Sequence, residues 1–133
     1  MNSRERVLAA LNHRKPDRVP IDLGSTTATS ITERAYLNLR DHLGLPQEEE
    51  IVFLSKSNRI VQPSEDILEL FQVDTRGLIP GPPDSWEDKP MPDDSYEDEW
   101  HIVRRRPPGG FYYDLVHPPL AKADSLWDLK SFS

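Results

Sequence analysis

Hydrophobic residues recur with helical spacing in four stretches of this chain. Each stretch begins near a polar residue that can cap a helix, which is the usual start of a short amphipathic helix. The apolar positions are, in chain order, Val7, Leu8 and Leu11; Ile31, Ala35, Tyr36, Leu39 and Leu43; Ile67, Leu68, Leu70 and Phe71; and Leu126, Trp127 and Leu129. The pattern predicts four helices, and the capping-box spacing of Ser30 and Glu33 makes the second the best defined.

Two apolar runs between these helices are typical of short buried strands. The run 19–23 ends in glycine and hydroxyl residues and then leads into the second helix, and the run 73–79 follows the third helix. A strand with such an end is typical of the opening unit of a βα enzyme domain. Sites in these domains lie at the carboxyl ends of the strands. The pattern therefore predicts two strands whose ends carry a site.

The carboxyl-terminal part of the chain has a different pattern. Residues 83–97 are rich in proline and acidic side chains and show no periodicity, which predicts a connector. Two strand-like runs then flank the Pro-Pro-Gly-Gly turn at 107–110, which predicts a β-hairpin. We divide the chain into residues 1–82, with the opening helix and the first two strand and helix units, the connector 83–97, and the hairpin and terminal helix 98–133.

Composition and charge narrow the function classes. The chain has 133 residues, a net charge of −7 and no cysteine. Nucleic-acid binding is not expected, because phosphate contacts need a basic face. Disulfides, thiolate metal sites and a cysteine nucleophile are excluded. Because no apolar run approaches the ~20 residues of a membrane span and the amino terminus is charged, we expect a cytoplasmic protein without membrane contact.

Three segments of the chain resemble the amino-terminal third of the uroporphyrinogen decarboxylase superfamily. In order, they are SRERVLAALNHRKPDRVPIDLG, PSEDILELFQVDTRGL and EDEWHIVRRRPPGGFYYDLVHPPLAKADSLWDL. They resemble the opening helix and strand, the second helix and strand unit, and the hairpin insert of a methyltransferase-like, uncharacterised branch. The superfamily includes the haem-pathway decarboxylase and the corrinoid or coenzyme M methyltransferases.

The resemblance implies an α/β fold, the incomplete amino-terminal portion of a (β/α)8 TIM barrel with a β-hairpin insert. Such barrels need about 250 residues. The resemblance therefore implies that this chain is an amino-terminal fragment of a decarboxylase-like or methyltransferase-like enzyme and is inactive alone. The alternative is a non-catalytic subunit or interaction module that pairs with a separately encoded remainder of the barrel.

The resemblance also bears on cofactors and partners. The methyltransferase branch uses zinc, held by His and Cys ligands far toward the carboxyl terminus, and its substrates are linked to a corrinoid. We expect no cofactor within this chain, with zinc or a corrinoid belonging to the full-length enzyme. The expected partner is a carboxyl-terminal part of the barrel, or further copies in a homo-oligomer.

This chain departs from the decarboxylase members at two motifs. Those members carry an arginine-rich RQAGRY-type stretch after the first strand, whose arginines hold the substrate carboxylates. The corresponding stretch here, GSTTATSITERAY, has no arginine before Arg34. They also place an acidic residue in an FSDI-like segment after the second strand, where this chain has the apolar residues 78–81. Uroporphyrinogen decarboxylation itself is therefore not expected.

The end of the first predicted strand supplies most of the candidate substrate-binding residues. Asp22 is either a carboxylate that faces substrate or metal, or a hydrogen-bond partner for the following turn. Ser25, Thr26 and Thr27 can donate hydrogen bonds to an anionic ligand, but they are also ordinary turn and capping residues, which is the interpretation that we favour.

The second predicted strand supplies Asp74 and Arg76. They are two residues apart, so in a strand they face the same side. The favoured interpretation is a structural ion pair between them. The alternative is a ligand-binding arginine, because a buried guanidinium suits a carboxylate or a phosphate.

Other residues give weaker indications of a functional site. The run Arg104–Arg106 follows acidic residues, so it predicts a solvated hairpin edge rather than an anion site. The histidines have no metal-ligand spacing, and we expect no metal site in the chain. The hairpin aromatics predict either local packing or a docking surface for a partner. They are Trp100, Phe111, Tyr112 and Tyr113.

Overall fold

A computed structural model describes residues 1–47, 50–81 and 83–132 of the protein. The helices are α1 (Ser3–Leu11), α2 (Glu33–His42), α3 (Glu65–Leu70) and α4 (Leu126–Ser131). The strands are β1 (Ile31–Thr32), β2 (Phe53–Ser55), β3 (Ile60–Val61), β4 (Lys89–Met91), β5 (Ser95–Glu97), β6 (Val103–Arg105) and β7 (Asp114–His117). The chain forms two compact units, Met1–Ile79 and Pro80–Ser133, called here the first and second units.

The prediction of a barrel portion is wrong. The described residues form two small antiparallel sheets and four short helices, without barrel closure. The predicted strands 19–23 and 73–79 form no ladder. Pro20 has no N–H to donate, and the N–H of Ile21 donates to the side chain of Asp74 instead of to a neighbouring backbone. A ladder between these two segments therefore lacks consecutive backbone donors.

The sheet of the first unit packs against α2 and α3 around a small core. Its strand order is β1-β3-β2, and all its pairs are antiparallel. Tyr36 of α2, Val61 of β3 and Ile67 of α3 are completely buried and form the centre of the core. The burial of a large apolar side chain stabilises a fold by about 1.5–3 kcal/mol. The packing of these three side chains therefore fixes α2 and α3 on the sheet.

A buried arginine adds polar contacts between α2 and α3. The Arg40 guanidinium donates to the Pro46 carbonyl at 2.6 and 2.9 Å, to the Ser64 hydroxyl at 2.8 Å and to the Asp66 carboxylate at 3.2 Å. It also lies 5.7 Å from the ring centroid of Tyr36. The desolvated cation is thus supplied with acceptors, as buried charges require.

The predicted capping box of Ser30 and Glu33 is wrong. The hydroxyl of Ser30 donates to the Val61 carbonyl at 2.5 Å, and the carboxylate of Glu33 pairs with Arg59. Thr32 is the N-cap residue of α2. The residues that precede the helix are drawn into β1, so Ser30 caps no helix and ties the sheet instead.

The sheet of the second unit is an antiparallel meander in the order β4-β5-β6-β7. The predicted hairpin is confirmed as β6 and β7, with Arg104 opposite Leu115. The predicted connector, in contrast, contains β4 and β5, which pair with each other. Tyr96 of β5 is buried and meets the Tyr113 ring edge to face, at 5.0 Å between centroids. The predicted boundary at residue 82 lies outside the described residues.

Among the described residues, no helix combines the length and the apolar character that crossing a membrane requires.

Candidate functional site

Two extended segments of the first unit, 21–25 and 74–77, lie side by side and are called here the paired segments. The backbone N–H of Asp74 donates to the carbonyl of Ile21 at 2.8 Å. This bond joins the beginnings of the two segments. It belongs to no assigned strand, so sheet geometry alone does not identify the contact.

The paired segments run in the same direction. Farther along both of them, Gly77 lies against Ser25 so closely that an added Cβ would be 2.6 Å from the Ser25 carbonyl oxygen. Only glycine allows such a backbone approach. The contacts advance from Ile21 with Asp74 to Ser25 with Gly77, so the polar ends of both segments meet at one place.

Asp22 lies in a network of hydroxyl groups at this place. Its carboxylate accepts hydrogen bonds from the Ser25 hydroxyl at 2.6 Å, the Ser25 N–H at 3.3 Å and the Thr75 hydroxyl at 2.5 Å. Burial alone would raise the pKa of Asp22, but the hydrogen bonds from Ser25, Thr75 and Thr29 outweigh it and hold the pKa below its ordinary value. Asp22 is an ionised carboxylate that fixes the paired segments.

Asp74 is the centre of a separate ion cluster at the beginning of the paired segments. Its side chain is completely buried, and it accepts from Arg6 at 2.5 Å and from Arg18 at 2.6 Å. Burial would raise the pKa of Asp74, but the N–H of Ile21 and the arginines hold it well below its ordinary range. The predicted ion pair between Asp74 and Arg76 is replaced by these contacts, because the two side chains leave the extended chain toward different partners.

Arg76 instead pairs with the first residue of α3. Its Nε donates to the two carboxylate oxygens of Glu65 at 3.0 and 3.2 Å, and its Nη2 donates to the same carboxylate at 2.5 Å. Its Nη1 donates to the carbonyls of Val73 at 3.0 Å and Thr75 at 2.8 Å. The hydrogen bond to Glu65 is the main cause that raises the pKa of Arg76.

The remaining candidates form the loop after the first paired segment. The Thr26 and Thr29 hydroxyls are 3.1 Å apart, and the Thr29 N–H donates to the Thr26 carbonyl at 3.2 Å. The Gly24 N–H closes the loop on the Thr29 carbonyl at 3.1 Å. Thr27 is exposed at the tip. Ser25 and Thr26 thus have the turn contacts that the favoured interpretation predicts.

A cleft of about 290 Å³ opens beside the second paired segment. Its apolar wall includes Leu23, Val52 and Leu68, and its polar wall includes Gln62, Thr75 and Arg76. Small-molecule sites have this mixture of apolar surface and a few polar groups, at volumes from about 300 Å³ upward. The cleft is therefore the candidate binding site of the first unit.

Sequence reasoning missed Thr75 and, on the wall of the cleft formed by the sheet, also Val52 and Gln62. Val52 and Gln62 lie where β2 and β3 flank the core, and the Gln62 N–H donates to the Val52 carbonyl at 2.8 Å. This is a contact between residues that are distant from both paired segments in the sequence. The short apolar run at 51–54 was the available signal, and it indicates a strand without indicating what the strand faces.

Within the described ranges, no group of three or more His, Asp or Glu side chains is arranged to hold a metal ion. The donor set that zinc requires is therefore not assembled by these residues.

The second unit uses its charged residues in pairs. Arg104 donates to Asp98 at 2.9 Å, and Arg106 donates to Asp94 at 2.6 Å. The hydroxyl of Tyr113 also donates to Asp94 at 2.6 Å. Two arginines of the run 104–106 are thus paired with local carboxylates. Trp100 has 61% of its surface exposed, and the rings of Phe111 and Tyr112 lie 6.4 Å apart between centroids.

Comparison of the chain with protein-family models, with curated proteins and with solved structures gave no match.

Proposed function

We propose that the chain supplies a ligand-binding cleft to an enzyme of the uroporphyrinogen-decarboxylase-like type. The parallel course of the paired segments carries this proposal. It places Asp22 against Thr75 and sets Thr75 and Arg76 on the wall of the cleft. Ligands of α/β enzymes bind beyond the carboxyl ends of parallel strands, and the paired segments run parallel in the same way although they form no ladder. The sequence resemblance points to the same class of enzyme.

The groups described here support a binding role rather than catalysis by this chain alone. Asp22 accepts from three donor groups and is ionised, so it has no proton to give near neutral pH. We therefore propose a substrate that is small and anionic or linked to a corrinoid, in the cytoplasm, with the reacting groups supplied by a further part of the enzyme. The zinc chemistry of the methyltransferase branch needs ligands other than those described here.

The cleft can be tested with a blocking substitution. Val52 is 55% exposed on the cleft wall, so Val52→Trp fills the cleft with little effect on the core. We expect phenylacetate, a probe with one carboxylate and a small apolar body, to shift the amide NMR signals of Gly24 and Gly77 in the unmodified chain. Val52→Trp should weaken this binding at least tenfold.

Val19→Trp is the matched control, because Val19 is 78% exposed and does not line the cleft. It should leave the phenylacetate titration unchanged. Shifts that survive Val52→Trp, or no shifts at Gly24 and Gly77 at millimolar probe, would contradict the cleft as the binding site.

A second candidate function is that of an interaction module, and exposed apolar residues of the second unit favour it. Trp127 is 75% exposed and Trp100 is 61% exposed, and Phe111 and Leu126 are also exposed. Exposed apolar side chains that form one continuous patch mark interaction sites. If this function holds, sedimentation velocity should show self-association or a one-to-one complex with a co-expressed partner, and Trp127→Ser should reduce it. A monomer that captures no such partner would reject this candidate.

A further inference from the structure

The cleft carries its cation already paired with a carboxylate of the same chain. Arg76 presents Nε and Nη2 to Glu65 in the two-point arrangement with which arginine binds carboxylates. Arg76 and Glu65 both line the cleft. The ion pair therefore lies on the ligand-facing wall and not beneath it.

The two partners are held very differently. Arg76 is anchored through Nη1, which donates to the carbonyls of Val73 and Thr75, so its fork keeps its direction when Glu65 leaves. The side chain of Glu65 is 61% exposed and, within the described part of the chain, hydrogen-bonds only to Arg76. An ion pair this exposed contributes about 0–1 kcal/mol, so little free energy opposes its exchange.

We infer that Glu65 occupies a carboxylate-binding site on Arg76, and that a ligand carboxylate exchanges with it. This inference rests on the proposed function of the cleft and specifies what the cleft binds. In the exchange the ligand carboxylate accepts from Nε and Nη2, and the Glu65 carboxylate turns into solvent. The guanidinium keeps one carboxylate partner throughout, so its charge is never left unpaired.

The walls of the cleft define the rest of the ligand. Leu23, Val52 and Leu68 add apolar surface to the cleft that Arg76 lines, and Gln62 adds one neutral polar side chain. One cation, about 290 Å³ and an apolar wall fit a small molecule with a single carboxylate on an apolar body. A polyanion would bring charges for which the cleft wall offers no second cation among the residues that the structure describes.

The test compares phenylacetate with its neutral counterpart phenylacetamide on three forms of the full chain, by NMR titration. We expect Glu65→Gln to bind phenylacetate about two- to fivefold more tightly, since the competing internal carboxylate is gone. Its affinity for phenylacetamide should not change. Arg76→Gln should lose the preference for phenylacetate over phenylacetamide.

Arg76→Lys keeps the charge without the two-point fork and should retain only part of that preference. Glu69→Gln is the matched control for Glu65→Gln. It removes the same charge from the same helix, and within the described residues Glu69 acts on Arg76 through its charge without a hydrogen bond to it. It should leave both affinities within a factor of about 1.5.

Two outcomes overturn the inference in different ways. If phenylacetate binds in a manner that Val52→Trp blocks but Glu65→Gln leaves its affinity unchanged, the cleft is a binding site and the exchange is wrong. If neither probe responds to Val52→Trp, the proposed function fails as well. Circular dichroism shows whether Arg76→Gln is folded. If it is not, the titration of Glu65→Gln decides the question, because the Glu65 side chain is exposed and its substitution leaves the fold intact.

Discussion

The two units of this chain are stabilised by different means. The first unit buries charged residues: the Asp74 side chain is completely buried, and Arg6 and Arg40 are only 8% and 3% exposed. It also holds every buried apolar residue of the described chain except Tyr96. The second unit depends on the ladder of a four-stranded meander, and its ion pairs lie in partly exposed positions.

This difference explains why the candidate site lies in the first unit. A buried ion cluster can hold extended segments at a fixed separation without a ladder between them. The paired segments are held in this way, with the buried Asp74 cluster at their beginning and the hydrogen bond from Thr75 to Asp22 next to it. The backbone N–H and C=O groups along the edges of the paired segments therefore remain available to a cleft. The strands of the second unit use the corresponding groups to pair with one another.

The largest effect that separates the two units is expected from Asp74→Ala. The substitution leaves Arg6 and Arg18 without their shared buried partner and leaves the N–H of Ile21 without its acceptor. Breaking a buried ion pair by removing one partner costs about 3–5 kcal/mol. The free energy of unfolding of the first unit, measured by hydrogen exchange of its core amides, should fall by about 3 kcal/mol, the lower end of this range, because Arg6 keeps the Asp17 carboxylate as a partner.

The matched control is Asp114→Ala, which removes an exposed carboxylate from β7 in the second unit. Its effect on either unit should stay within about 0.5 kcal/mol. A loss below 1 kcal/mol for Asp74→Ala would show that the ion cluster does not stabilise the first unit.

A smaller effect should appear on acidification. Arg6 and the terminal amino group hold the pKa of Asp17 low, and the cluster holds that of Asp74 low. A carboxyl group with a depressed folded pKa stabilises the fold above its unfolded pKa of about 3.9, and this stabilisation is lost as the pH falls further. The first unit should therefore keep its stability from pH 7 to 5 and lose it below about pH 4.

Tryptophan fluorescence allows the two units to be compared in one sample. All three tryptophans, Trp86, Trp100 and Trp127, belong to the second unit. At pH 3.5 the core amides of the first unit should exchange hydrogen faster than at pH 7. The tryptophan fluorescence of the second unit should still be unchanged at that pH. Equal losses of stability in both units would contradict the contrast drawn between buried and exposed ion pairs.

The sequence predicted the helices better than the sheets. Helical spacing at Tyr36 and Ile67 marked α2 and α3, because their apolar stripes face the core. The hairpin of β6 and β7 was also predicted, since alternation and a turn are local signals. The strands β1 and β3 have two residues each, too short for any period to be visible.

The site shows the same limit. Asp22 and Arg76 are predicted from two apolar runs, which local pattern can find, whereas Thr75 is found only through its hydrogen bond to Asp22. Only part of their surroundings is local: Ser25 hydrogen-bonds to Asp22 from three residues away, whereas Thr75 reaches Asp22 across 53 residues and Glu65 reaches Arg76 from a helix. Arg6 and Arg18 likewise reach Asp74 across more than fifty residues. An ion pair between Asp74 and Arg76 was expected because spacing shows only which side chains share a strand face.

The contact between Gly77 and Ser25 has a consequence at the level of the gene. Every missense change of a glycine codon introduces a side chain with at least one carbon, and that carbon would lie 2.6 Å from a backbone oxygen. At Gly81, in contrast, an added carbon would meet no described atom within 4 Å. Every single-nucleotide change of codon 77 that replaces the glycine is therefore expected to disturb the contact with Ser25, although the glycine itself takes part in no chemistry.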